Sequence, residues 1–204
     1  MAALSEPLLN KLMTDPWKLL RRHSTPAKLL TDPAPDDAQL KQMLEVAMCV
    51  PDHGRIRPFR FISIRGQARH ALSELFGRAV KLRDPDVTDR YLKKQMDKPL
   101  RSPLIVVVIV SLIESPKIPK IEQMLSAGAA AHNLLLASTA LGFGSIWLTG
   151  DNAYDPLVFD ALGLADNEKI IGFVYLGTEK IAMPARAPVD VDKHLRQWEH
   201  SASE

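Results

Sequence analysis

One cysteine in 204 residues leaves no internal disulfide and no cysteine-based zinc site. That residue, Cys49, reads as the buried end of a helix and suits a reducing, cytoplasmic setting. The six histidines show no HExxH or other ligand spacing. There is no GxGxxG, Walker A or GxSxG pattern. Metal catalysis and nucleophilic catalysis are both unsupported, so no catalytic or metal-binding side chain is assigned. Charge of one sign is also lacking: 26 basic against 24 acidic residues give a net charge of +2, too balanced for a nucleic-acid partner. The first residues carry Glu6, Lys11 and Asp15 where a secretory signal needs an unbroken apolar run. Repeats and low-complexity tracts are absent.

The most telling absence lies inside the chain. From Met124 to Gly150 there is no Asp, Glu, Lys or Arg. The part up to about Leu141 is Ala, Leu and Ser, a helix apolar on nearly every face. Such a helix is fully buried or in a membrane. His132, Asn133, Ser138 and Thr139 interrupt the run, and Gly142 and Gly144 end it, so the buried reading holds and no membrane span is expected. A GFG turn and a strand, SIWLT, follow. A chain this small needs a second copy of itself to cover such a helix.

The other elements arrange themselves around this stretch. Leu4–Met13 and Pro16–Arg22 read as short helices. Asp36 caps a helix over about 37–49. PFRFISIRG alternates as a strand does, and Gln67–Leu82 is an amphipathic helix. The polar segment 86–98 is a solvated helix or excursion. SPLIVVVIVSLI and EKIIGFVYLGT are strands buried on both faces, with a short helix over 155–162 between SIWLT and the second of them. From Glu179 the chain is proline-interrupted and reads as an extended arm. The expectation is one α+β domain over residues 1–204. In it, helices surround a small, mostly antiparallel sheet, with a helix in 1–15 and an arm over 179–204.

Four segments carry anion-binding or flat-ligand features, each with a plainer reading. Arg22-His23-Ser24, at a helix exit, offers a guanidinium fork and a hydroxyl to one phosphate, or is a solvated basic helix end. The loop from Pro51 to Pro58 holds His53, Arg55 and Arg57, or is simply a charged surface loop. Gly142 to Thr149 borders a flat apolar slot, or is a helix stop and a core strand. Arg186 is a further cation, or a surface arginine.

Taken in order, LLRRHSTPAKL, VPDHGRIRPFRFISIRG, SAGAAAHNLLLASTALGFGSIWLTG and KIIGFVYLGT resemble the FMN-dependent nitroreductase family, most of all its small single-domain branch. The likeness runs from about Pro16 to Arg186. It implies a nitroreductase-like α+β fold and an intertwined homodimer with FMN at the subunit interface. By the same resemblance Arg22, His23 and Ser24 match the segment that holds the FMN phosphate and ribityl chain. His53 and Arg57 match a loop that reaches the flavin from the partner subunit. Trp147, Leu148 and Thr149 match the strand along the isoalloxazine ring, and Arg186 matches a basic residue that meets the phosphate. Two departures stand out. The branch often has arginine where His23 stands, which reduces the charge facing the phosphate unless His23 is protonated. Many relatives have glutamine where Arg57 stands, and a cation there would stabilise the reduced flavin or favour anionic substrates.

The implied activity is hydride transfer from NADH or NADPH through flavin N5 to a nitroaromatic, quinone or similar electron-poor acceptor, by a ping-pong cycle. The flavin carries the chemistry, which accounts for the missing catalytic constellation. The segment 83–98 is expected to shape the substrate entrance. The alternatives are a different flavin redox chemistry on the same scaffold and a non-catalytic flavin-binding or dimeric interaction protein.

Overall fold

The computed structural model describes residues 16–184 and 186–198, and the expected helix over 4–13 lies outside them. The α-helices, in chain order, are α1 (Pro16–Leu20), α2 (Asp37–Ala47), α3 (Gln67–Arg83), α4 (Asp89–Met96), α5 (Lys120–Ala140) and α6 (Pro156–Ala161). The strands are β1 (Leu30–Thr31), β2 (Phe59–Arg65), β3 (Leu104–Ser111), β4 (Gly144–Leu148) and β5 (Glu168–Glu179).

The unbroken β-branched run of β3 has the burial its composition demands, with every residue from Leu104 to Val110 at 0% exposure. It lies between β2 and β5, and all strand pairings are antiparallel. Val174 of β5 pairs with Val106 of β3 and with Trp147 of β4, so β3 and β4 flank β5 on opposite edges. Successive residues of β3 point to opposite faces. Ile105, Val107 and Ile109 join Leu72, Leu75 and Phe76 of α3 and Val158 of α6. Leu104, Val106 and Val108 join Leu40 and Met43 of α2 and Ala131 and Leu134 of α5. The result is a three-layer α+β arrangement, as expected.

Local signals set the helix ends. Asp36 and Gln39 form a reciprocal capping box at α2, Gln39 N–H to Asp36 at 2.8 Å and Asp36 N–H to Gln39 at 3.0 Å. The start of α5 is anchored by Gln123, buried at 1% exposure, whose amide bonds the backbone of Ile113 and Ile118. Its other end closes as a Schellman motif. Gly142, at φ 83°, donates to Thr139 O, and Phe143 N–H donates to Ser138 O at 2.8 Å. Only glycine takes that φ without steric cost, so the GFG sequence stops the helix and starts β4.

The polar segment 86–98 contains α4, capped by Thr88. Ser73 of α3 donates to Met96 O at 2.6 Å, which ties the segment to α3. Beyond β5 the described part of the arm holds a single 3-10 turn, Val191–Lys193, and leaves Val189, Leu195 and Trp198 exposed. The reading of Cys49 as buried is corrected: it is exposed, with its thiol on Glu45 O at 3.3 Å. The helix ends at Ala47, itself fully buried, and the chain turns outward after it, so Met48 and Cys49 face solvent. Among the described residues no helix is long and apolar enough to cross a membrane.

Candidate functional site

The chain leaving α1 returns to the end of α5 and the start of β4. Arg22 is only 7% exposed. Its Nε donates to Thr139 Oγ1 at 3.1 Å, and its Nη2 donates to Ser145 O at 2.7 Å and to Ser145 Oγ at 3.2 Å. Thr25 N–H donates to the same carbonyl at 3.1 Å. Residues 22–25 therefore run along the edge of β4 that β5 leaves free. A pocket of about 220 Å³ opens here, lined by Arg21, Arg22, His23, Thr139, Gly144 and Glu179 among others. His23 Nε2 lies 3.0 Å from Glu179 Oε1, and Thr25 Oγ1 donates to that same oxygen. Burial first, and then the charge of Arg186, hold the Arg22 guanidinium below its ordinary pKa, while Glu179 pulls the other way. Ser24 is half-buried beside them.

This donor set fits a phosphate monoester. Two guanidiniums that disfavour one another, with a histidine and one carboxylate, leave positive charge uncompensated at a pocket mouth. A dianion relieves that repulsion.

The strand residues expected along the flavin ring divide between the faces of β4. Trp147 packs on the α5 side with Phe61 and Leu141, and Leu148 packs on the α3 side. The Trp147 indole N–H donates to Ile171 O at 3.2 Å, where β5 bulges between its pairings to Val108 and Ile109. A Cβ on Gly172 would fall on the indole ring, so glycine is required for Trp147 to lie flat there. Thr149 is exposed. Because Ser145 turns its carbonyl to the free edge, Trp147 does the same, by the two-residue period of a strand. The segment thus offers a ribbon of backbone groups, and its side chains do not share one face.

His53 and Arg57 lie elsewhere. His53 Nδ1 is 2.6 Å from Glu122 Oε2 at the start of α5, and Ser126 of α5 donates to Pro51 O at 2.9 Å. Arg57 is exposed, with its N–H on Asp52 Oδ2 at 2.6 Å. Both Arg55 (φ 54°) and Arg57 (φ 50°) occupy the left-handed region, a strain common at binding loops. The cluster at Arg22 is anchored at Thr139 and the loop at Glu122. Seventeen residues of helix, about 25 Å at 1.5 Å each, separate the two. Within one chain they do not meet.

The first turns of α5, at the loop end, carry apolar side chains in the open: Ile121 is 60% exposed and Leu125 64%. Further along, His132 is exposed and Leu136 and Ala140 are half-buried.

Against this geometry, the sequence profile of the nitroreductase family matches residues 19–178. The chain belongs to the nitroreductase family. That family is one of oxidoreductases that use FMN, with NAD(P)H as reductant. A protein of Escherichia coli (strain K12) named "Putative NAD(P)H nitroreductase YdjA" is 36% identical over 163 residues, covering 80% of this chain and 87% of that one. A Haemophilus influenzae protein named "Putative NAD(P)H nitroreductase" is 34% identical over 152 residues, covering 74% and 82%. Among solved structures, the nitroreductase-like family protein from Bacillus cereus superposes with a TM-score of 0.77 at 22% identity, covering 98% of this chain and 100% of that one. The FMN and NADPH-dependent nitroreductase NfnB from sphigopyxis sp. strain HMH gives 0.71 at 17%, covering 90% and 98%. These two likenesses speak to the fold.

The sequence reading missed Thr139, Ser145 and Glu179, which hold Arg22 and His23 in place. Ser145 and Glu179 carry no local motif, because their role depends on β4 and β5 lying side by side. In the sequence Thr139 reads only as an interruption in an apolar helix. A hydroxyl one turn from the helix end was the available signal. No group of three or more His, Cys, Asp or Glu able to hold a metal occurs among the described residues.

Proposed function

We propose that the protein is a homodimeric, FMN-dependent oxidoreductase whose two identical sites each draw on both subunits. The observation that carries this is the 25 Å gap. Arg22 and His53 stand at opposite ends of one helix, and Ile121, Met124 and Leu125 lie uncovered at the His53 end. Two copies of α5 packed antiparallel cover these side chains and bring the His53–Arg57 loop of one subunit to the Arg22–Ser24 segment of the other. A two-fold interface is self-complementary, so one pairing builds both sites.

In this reading Arg22, His23, Ser24 and Arg186 hold the phosphate. The backbone edge of Trp147–Thr149 borders the ring, with Trp147 and Leu148 fixing that edge from either face of the sheet. His53 and Arg57 close the site from the partner. Arg57 puts a cation beside the ring, where it stabilises negative charge on reduction and draws anionic acceptors. Bound FMN supplies hydride and electron transfer between NAD(P)H and an electron-poor acceptor such as a nitroaromatic or quinone, each using the site in turn. Segment 83–98 ends at Lys98, whose burial first, and then Arg101, lower its pKa. Lys98 abuts Gly150 at the exit of β4, which supports a role at the entrance. The single exposed Cys49 suits a reducing cytoplasm.

The test is reconstitution with FMN followed by anaerobic addition of NADH or NADPH in turn and an acceptor panel. A yellow dimer that either nucleotide bleaches, and an acceptor recolours, supports the reading. Protein that stays colourless after FMN and desalting refutes it. A yellow protein that neither nucleotide bleaches favours a flavin-binding role without turnover.

A further inference from the structure

Glu179 ends β5 and turns its carboxylate back over β4 toward His23. One oxygen, Oε1, faces His23 Nε2 at 3.0 Å and also accepts from Thr25 Oγ1. The other ring nitrogen of His23, Nδ1, has no partner among the described residues, and His23 lines the pocket mouth. The charged groups around the ring are Arg21 and Arg22 before it, Glu179 with Lys180 after it on the chain, and Arg186 on the arm. Thr25, Thr139 and Ser145 are neutral.

We propose that Glu179 is a positioning residue that holds His23 as a cation aimed at the cofactor's phosphate, and so selects FMN over unphosphorylated flavin. The inference rests on the FMN reading above.

The argument is one of donors and acceptors. A neutral imidazole has one N–H and one lone pair. If Nε2 carries the proton for Glu179, Nδ1 presents a lone pair to the phosphate. If Nδ1 carries it, a lone pair faces the carboxylate at 3.0 Å. Only the imidazolium satisfies both sides, donating to Glu179 at one end and to a phosphate oxygen at the other. A carboxylate beside a phosphate site otherwise opposes a dianion by simple Coulomb repulsion. The two effects give Glu179→Gln opposite outcomes. Loss of repulsion tightens FMN, and loss of the imidazolium weakens it. The weakening shows only where an imidazole without a carboxylate partner is neutral.

Binding of FMN and of riboflavin is measured by flavin fluorescence quenching from about pH 5.5 to 8.5, for wild type, H23A, E179Q, H23R and the double variant of the last two, alongside thermal melting. The expected result is that E179Q binds FMN ~10-fold more weakly than wild type near pH 8 and about equally near pH 5.5, the difference between a charge-assisted bond and none. Riboflavin binding is unchanged by E179Q at both pH values. In H23R the cation is permanent, so E179Q added to it costs no pH-dependent affinity. E179Q binding FMN equally or more tightly near pH 8, losing it uniformly with pH, or losing riboflavin to the same degree overturns the inference. Should E179Q not fold, wild type against H23R reads the same proton: the two FMN profiles run parallel from about pH 5.5 to 8, with H23A weaker than both, and a wild-type affinity that drops away from that of H23R as pH rises, or an H23A that binds as tightly as wild type, overturns it. Wild type that binds riboflavin as tightly as FMN overturns the phosphate site itself. Loss of FMN in Arg22→Ala with E179Q unaffected overturns only the role of Glu179.

Discussion

The two sides of the sheet are covered by helices of opposite character. On one side α3 buries Leu72, Leu75, Phe76, Ala79 and Val80 and shows water Glu74, Arg78 and Lys81. Apart from Leu82 near its end, 73% exposed, its large apolar residues are buried within the chain. On the other side α5 buries Ala127, Ala130, Ala131 and Leu134 at 0% exposure, yet its back carries Ile121, Leu125 and, between them, Met124. Every residue read as part of the site is anchored on this side, along the free edge of β4, or on the arm. A helix with a polar back belongs to the scaffold. A helix with an apolar back waits for something, and in the proposed dimer that something is its own copy.

The largest effect is expected from placing a charge on that back. Leu125→Arg leaves the single chain folded, since the position is exposed within it. In the proposed dimer it strands a guanidinium in an apolar contact, at roughly 3–5 kcal/mol. A monomeric mass and loss of FMN binding are expected, and Ala71→Arg on the exposed back of α3 changes neither. A Leu125→Arg protein that remains a yellow dimer breaks the comparison.

The finished side is tested through Glu168. This carboxylate is 9% exposed and accepts from Arg60 Nε and Nη2 at 2.6 Å each, from Ser111 Oγ at 2.6 Å and from Ala165 N–H at 3.0 Å. The Arg60 bonds foremost lower its pKa from 4.5 to about 2 against the opposing effect of burial. Glu168→Gln should cost on the order of 2–3 kcal/mol in denaturant unfolding, less than a fully buried pair because Arg60 reaches solvent. The folded value is depressed, so this stabilisation is present above the unfolded value near 4.5 and is lost as pH falls toward about 2. The variant's stability should therefore fall less steeply than wild type across that interval, with FMN affinity per folded molecule unchanged.

Arg22→Ala should weaken FMN by ~1.5–3 kcal/mol through loss of a charge-assisted pair, with riboflavin spared; equal loss of both flavins points to β4 collapsing, not to a lost phosphate contact. Gly172→Ala should cost about 1–3 kcal/mol of stability by pushing Trp147 off the sheet. Its near-ultraviolet tryptophan signal should change along with the melting temperature, and a silent spectrum counts against the packing given for Trp147.

The layers were legible because their signals are local. A run of six Ile and Val residues has nowhere to go but a doubly covered strand, and β3 shows it. Asp36 with Gln39, and Gly142 after Leu141, announce helix ends by side-chain and backbone chemistry that operates within four residues. Arg22 and His23 were readable at a helix exit, and Arg186 as a further cation on the arm. Their neighbours were not. Glu179 looks like the last polar residue of a strand until β5 is laid against β4. Trp147 and Leu148 read as one slot until the period of the strand sends them to opposite faces. Cys49 read as buried because a helix pattern does not say where the layer ends.

What the sequence determined by itself is the set of elements and the one anomaly among them, a helix without charge from Met124 onward that a chain of this size leaves partly uncovered. Periodicity, capping and charge act over a few residues, and a few residues suffice to read them. Tertiary structure alone decided which residues share the site. It set Glu179 on His23 across two strands, hung Arg22 on Ser145 across more than a hundred residues, and fixed His53 a full helix length away. Those distances are sums over turns and pairings, and no single stretch of sequence contains them.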